Sequence, residues 1–141
     1  MPYKFVEHTA DLKIEVDEPS LEEAFITSAL ALRQAMAEDV QIKGVSSRVI
    51  AVAGADLSAL LYKFLEEFLF LLDAEDFILA TFEDLGIIKD DGEYHLSAKI
   101  LGDKASNYNF SNDVKAITFN DMDVFENKPR EKVLIQFVVD V

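Results

Sequence analysis

Two short segments of the sequence carry polar residues in positions where they could do chemistry. Residues 8–11 read His-Thr-Ala-Asp and come directly before an alternating apolar segment. Asp140 ends another apolar segment, one residue before the carboxylate of Val141. Carboxylate oxygens are hard ligands, which in a chain without cysteine favour Ca²⁺, Mg²⁺ or Mn²⁺ over zinc or copper. A divalent-cation site would form if Asp11, Asp140 and the Val141 carboxylate converge.

Convergence of three anions needs a compensating positive charge. Two unit charges about 4 Å apart interact by roughly 4 kcal/mol at an effective dielectric constant of 20. A proton, the ammonium group of Lys115 or a metal ion would relieve repulsion of this size. A purely structural interpretation is also open. In it, Thr9 and Asp11 bond local amides and His8 packs as a satisfied side chain. Asp140 then pairs with Lys115 at the surface, which contributes roughly 0–1 kcal/mol.

The sequence lacks the motifs of several other chemistries. Because there is no cysteine, disulfide scaffolds, thiol catalysis, zinc ribbons and iron–sulfur clusters are excluded. The five glycines are too widely spaced for a dinucleotide-binding loop or a P-loop. The two histidines are far apart in sequence and cannot form the HExxH zinc motif, and no nucleophile elbow supports a serine hydrolase.

The charge of the chain restricts its partners. There are 13 Lys and Arg residues against 27 Asp and Glu residues, which gives a formal charge of −14. Such a chain has no overall field for holding phosphate backbones or anionic membranes, so we expect no direct RNA contact and no membrane docking. The acidity favours a cation or a basic partner, or serves only to keep an apolar chain in solution.

The periodicity predicts two helices that must support these residues. Leu12, Ile14 and Val16 alternate with charged residues, which indicates a half-buried strand. Ser20 and Glu23 have the spacing of a capping box, and an apolar stripe follows over residues 21–37. Asp56 is placed to cap a second helix, whose stripe runs over residues 57–72.

Most of the remaining apolar segments read as strands. They cover residues 45–54, 77–82, 86–89, 94–101, 114–119, 123–125 and 133–141, with a hairpin turn at Asp91-Gly92 and a polar loop at 102–112. Two helices among six to eight strands joined by short turns indicate an α+β fold. We expect the two helices to cover one face of an antiparallel or mixed sheet, as a single pair of layers.

The length of 141 residues predicts a single domain spanning residues 1–141. The first residues lack the apolar stretch of a signal peptide, and no apolar segment reaches the roughly 18 residues of a membrane-spanning helix. These features predict a cytoplasmic protein.

The ordered set of motifs resembles the archease family over essentially the whole chain. The matching segments are HTAD at 8–11, LEEAF at 21–25, ALAL at 29–32, DL at 56–57, LEEFLFLLD at 65–73, KAITF at 115–119 and DV at 140–141. Each segment alone is weak, but their common order and spacing are fairly specific.

The resemblance implies an accessory protein rather than an enzyme. Archeases activate the RtcB-type RNA ligase of tRNA splicing by promoting its guanylylation and multiple turnover, and older descriptions call them chaperone-like. The family's metal site, often occupied by calcium, matches Asp11, Asp140 and Val141. Its important lysine matches Lys115, and its motif histidine matches His8.

The chain departs from the family pattern after the KAIT segment. Family members often carry Tyr-His there, whereas this sequence has Phe119-Asn120. An imidazole or phenol function at those positions is therefore not expected. Two other functions remain open at this point: a chaperone-like interaction module, and a metal-dependent hydrolase that uses Asp11 and Asp140.

Overall fold

A computed structural model describes residues 2–8 and 11–141, without the side chains of residues 6–8. Within that part the chain forms seven strands and two α-helices. They are β1 (Tyr3–His8), β2 (Asp11–Glu18), α1 (Leu21–Ala37), β3 (Ser46–Gly54), α2 (Leu57–Glu75), β4 (Phe77–Asp90), β5 (Glu93–Lys104), β6 (Ala116–Asn127) and β7 (Lys132–Asp140). Single 3₁₀ turns lie at Ala105–Asn107 and Lys128–Arg130.

The strands form two antiparallel sheets that share the helices. One sheet has the order β1-β2-β7-β6, and the other has the order β3-β5-β4. Helix α1 packs against β2 and β4, and α2 packs against β3 and β6, so each helix contacts both sheets. The predicted α+β class is confirmed. The single sheet with both helices on one face that we expected is instead two sheets, and each helix packs against both of them.

Both helices begin where the capping residues predict. The Ser20 hydroxyl accepts a hydrogen bond from the Glu23 amide at 3.1 Å, and the Asp56 carboxylate accepts one from the Ala59 amide at 2.8 Å. Helix α1 has the bounds that its apolar stripe predicts. Helix α2 continues one turn beyond its stripe to Glu75, which pairs with Arg48 at 2.9 Å and so tolerates its position at the negative end of the helix dipole.

The strand predictions needed three corrections. The segments predicted at 77–82 and 86–89 are one strand, β4, which continues through two register irregularities. The segments at 114–119 and 123–125 are likewise one irregular strand, β6. The predicted loop at 102–112 is shorter, because β5 runs to Lys104. Strand β1 was not predicted, because Val6 directly follows Phe5 and breaks the period of two after only three residues.

The core lies between the inner faces of the sheets and the helices. Phe25, Phe64 and Phe137 are fully buried. The Phe64 ring lies 5.7 Å from that of Phe25 and 5.1 Å from that of Phe68, centroid to centroid. Burial of one such side chain contributes roughly 1.5–3 kcal/mol. No helix in the described residues is long and apolar enough to span a membrane.

We predict that Gly54→Ala destabilises the fold. Gly54 ends β3 beside the first turn of α2, and an added Cβ would lie 2.6 Å from the Leu60 amide nitrogen. Overpacking of this kind costs roughly 1–3 kcal/mol. Gly86→Ala is the matched control, because nothing lies within 4 Å of the added carbon. Urea unfolding should show a lower midpoint for Gly54→Ala alone, and equal midpoints would contradict this packing.

Candidate functional site

One row of residues crosses the four-stranded sheet at one end. Asp11 is the register partner of His8 on β1 and of Asp140 on β7, and Asp140 is the partner of Ala116 on β6. Residues directly opposite one another share a face and have Cβ atoms about 4.5–5.5 Å apart. The structure therefore brings together the two aspartates that the sequence singles out.

The apolar alternation of the two central strands fixes the direction of both carboxylates. Ile14 and Val16 on β2, and Phe137 and Val139 on β7, are buried in the core. Because successive side chains point to opposite faces, Asp11 and Asp140 point away from the core. Asp11 is half-buried and Asp140 is exposed. Val141 follows directly and is 40% exposed.

Lys115 lies beside this row through its main chain. Its amide donates a hydrogen bond to the Asp140 carbonyl at 2.7 Å, and its side chain is exposed. The ion pairs found among the described residues do not include one between Lys115 and Asp140. The predicted surface pair is therefore not formed. The backbone of His8 is in the row, but its side chain and residues 9 and 10 lie outside the described part, and so does the local bonding predicted for Thr9.

A buried carboxylate anchors the segment that leads to Lys115. Asp103 is 7% exposed at the end of β5, where it accepts hydrogen bonds from the Tyr108 hydroxyl at 2.7 Å and from the Lys104 amide at 2.8 Å. The Tyr108 hydroxyl in turn accepts one from the Lys43 amide at 2.9 Å. These bonds tie the segment after β5 to the segment before β3. The Tyr108 bond lowers the pKa of Asp103 most, and the same bond raises the pKa of Tyr108.

An aromatic stack lies where the chain departs from the family pattern. The ring of Phe119 on β6 stacks on that of Tyr62 on α2, with centroids 4.2 Å apart and planes inclined by 17°. The neighbouring Glu66 carboxylate raises the pKa of the Tyr62 phenol. Sequence reasoning did not identify Tyr62, because the periodicity of a helix gives no signal for a partner on a distant strand. Phe119 therefore holds β6 against α2.

The arrangement supplies hard oxygen ligands at one point on the surface. Within the described residues, no group of three His, Asp or Glu side chains is placed to hold a metal ion. The row contributes two carboxylate side chains, so a complete site needs at least one further donor.

We predict that Tyr108→Phe weakens the pH dependence of stability at acid pH. The folded-state pKa of Asp103 lies below its ordinary value of 3.8. Its contribution is therefore fully present above that value and is lost as pH falls through the lower folded-state pKa. Tyr108→Phe removes the main cause of the shift, so unfolding midpoints measured from pH 6 to pH 2 should fall less steeply than in the unmodified chain. Tyr94→Phe is the control, and an identical effect of both variants would contradict this role.

Comparison with known proteins agrees with the motifs and the fold. Residues 3–141 match the model of the Archease protein family (MTH1598/TM1083). The chain is 38% identical to protein archease of Pyrococcus furiosus over 144 residues, covering 99% of this chain and 98% of the relative. It is 36% identical to protein archease of Pyrobaculum neutrophilum, covering 99% and 95%. The solution structure of Methanobacterium thermoautotrophicum protein 1598 superposes with a TM-score of 0.84 at 26% identity over 99% of both chains. The chain belongs to the archease family.

Proposed function

We propose that this chain is an accessory protein that activates the RtcB-type RNA ligase of tRNA splicing. It would promote guanylylation of the ligase and its multiple turnover, and would not itself be an enzyme. Membership of the archease family supports the choice of partner. The observation that carries the proposal is the register of Asp11 opposite Asp140, because it places two carboxylates directly opposite one another at one end of the outer sheet face.

The proposed site holds a divalent cation, with Ca²⁺ preferred and Mg²⁺ or Mn²⁺ as alternatives. Asp11 and Asp140 would supply side-chain oxygens, and Val141 would supply its main-chain carboxylate where it is the last residue. These oxygen donors fit hard cations, which take six to eight oxygen ligands or keep several waters. When bound, the ion would offer a Lewis-acid centre to a phosphate or carboxylate of the ligase complex.

The neighbouring residues would position and balance this site. The Lys115 amide fixes the Asp140 carbonyl at 2.7 Å, so the last strand cannot move away from β6 without breaking that bond. The Lys115 ammonium group would offset excess negative charge or contact a nucleotide phosphate. His8, at the β1 end of the row, would be a further polar neighbour of Asp11.

The chaperone-like and hydrolase alternatives predict different activities. A hydrolase would turn over its substrate without the ligase, and a chaperone-like module would suppress aggregation of unrelated proteins. An RNA-ligation assay at low ratios of this chain to ligase distinguishes the three functions. Only an activator of the ligase must give faster guanylylation and repeated turnover.

We predict that Asp140→Asn and Asp11→Asn abolish stimulation of the ligase while stabilising the metal-free fold. Removal of one charge relieves repulsion across the strand pair, which is worth roughly 0.2–1 kcal/mol. Urea unfolding in EDTA should therefore give higher midpoints for both variants. Added Ca²⁺ should stabilise the unmodified chain but neither variant, because only the native site gains binding free energy.

Asp90→Asn is the matched control, since Asp90 is an exposed aspartate at the β4–β5 hairpin. It should keep both the response to Ca²⁺ and the stimulation of the ligase. If the variants at positions 11 and 140 stimulate guanylylation as well as the unmodified chain does, the site assignment is wrong.

We predict that residues added after Val141 weaken metal binding more than residues added before Met1. An extension converts the proposed carboxylate ligand into an amide and removes its charge. Calorimetric titration with Ca²⁺ and Mn²⁺ should show weaker binding for the C-terminal extension only. Far-ultraviolet circular dichroism and the unfolding midpoint in EDTA check that the extension leaves β7 intact. Equal affinities for the two extended chains would exclude the Val141 carboxylate as a ligand.

A further inference from the structure

The outer face of the four-stranded sheet carries a groove at the end away from the aspartates. It has a volume of about 480 Å³, and its lining includes Tyr3, Lys4, Asp123, Phe125, Leu134 and Gln136. Phe125 on β6 and Leu134 on β7 are register partners, so their side chains are adjacent on this face. They are 51% and 42% exposed.

The groove has the composition of a protein-docking surface. Single exposed apolar side chains are normal on any protein, but here an aromatic and an aliphatic side chain adjoin in a concave site. Charged pairs lie around them: Lys4 with Glu15 at 3.6 Å, and Lys132 with Asp17 at 3.3 Å. An apolar centre with a polar rim is the usual anatomy of an interface.

The groove and the aspartate row belong to the same rigid sheet face. Leu134 and Asp140 lie on the same side of β7, six residues or about 20 Å apart. Between Leu134 and Asp140 the sheet face is covered by the chain itself. Val138 is 3% exposed there, and the Gln136 side-chain amide donates a hydrogen bond to the Asp121 carbonyl at 2.8 Å. A partner can therefore contact two open areas at a fixed separation.

We propose that the ligase docks in this groove and places an apolar side chain against Phe125 and Leu134. The aspartate row would then lie at the active site of the ligase. This inference rests on the proposed function.

Charge favours this occupant over a second copy of the chain. Two copies would each bring a formal charge of −14 and repel one another. An enzyme that holds RNA presents cationic surface, which complements Asp123 in the groove and the net negative charge of the chain. Encounter should therefore be faster at low salt than at high salt.

The test is calorimetric titration of the full chain with purified RtcB-type ligase. Phe125→Ala and Leu134→Ala should each weaken binding by about tenfold or more, as for residues central to an interface. Both variants should keep the Ca²⁺ affinity of the unmodified chain. Both should also reach its maximal stimulation of guanylylation at saturating concentration. Ile88→Ala is the control, because Ile88 is 64% exposed on β4 in the other sheet.

The outcomes separate this inference from the proposed function. If all three variants bind as the unmodified chain does, the groove is not the docking surface, even where stimulation persists. If the unmodified chain neither binds nor stimulates the ligase, both proposals fail. If sedimentation shows a dimer that Phe125→Ala dissociates, while ligase affinity is unchanged, the groove serves self-association and the inference is overturned.

Discussion

The pairing of β2 with β7 determines whether the candidate site exists. It joins residues near the two ends of the sequence through a continuous register from Asp11–Asp140 to Glu18–Val133. Loop-closure entropy makes contacts between such distant residues costly to form, so we expect this pairing to need the helices and the core already assembled. The site is therefore a property of the whole fold, and no local segment contains it.

The register cannot slip without a large cost. A shift of one residue would turn Phe137 and Val139 towards solvent and Asp140 towards the core. Both apolar side chains are fully buried in the observed register. Their burial contributes several kcal/mol, which exceeds the repulsion between two carboxylates at the sheet surface. The core thus holds together two like charges that would separate if the strands were free to choose their pairing.

The sequence predicted the elements better than their arrangement. The caps at Ser20 and Asp56 and the periodicity of the helices are local signals, and the structure follows them. The alternation in β7 is a local signal of the same kind, and Asp140 points away from the core as that alternation requires. By contrast, the division into two sheets and the stack of Phe119 on Tyr62 depend on contacts between distant residues, which leave no local pattern. The juxtaposition of Asp11 and Asp140 was reached through a family resemblance, because spacing alone could not establish it.

The two faces of the four-stranded sheet have separate roles. Its inner face packs against the helices, so side chains such as Ile14 and Phe137 are fixed in the core. Its outer face is covered only in part, around Val138, and the polar row and the apolar groove lie on either side of that part. Because the inner packing and the Lys115–Asp140 hydrogen bond hold the strands, these outer features keep a fixed separation without any contact between them. This arrangement places a charged point and an apolar contact on one face of the sheet, and a rigid sheet reduces the ordering cost of any binding there.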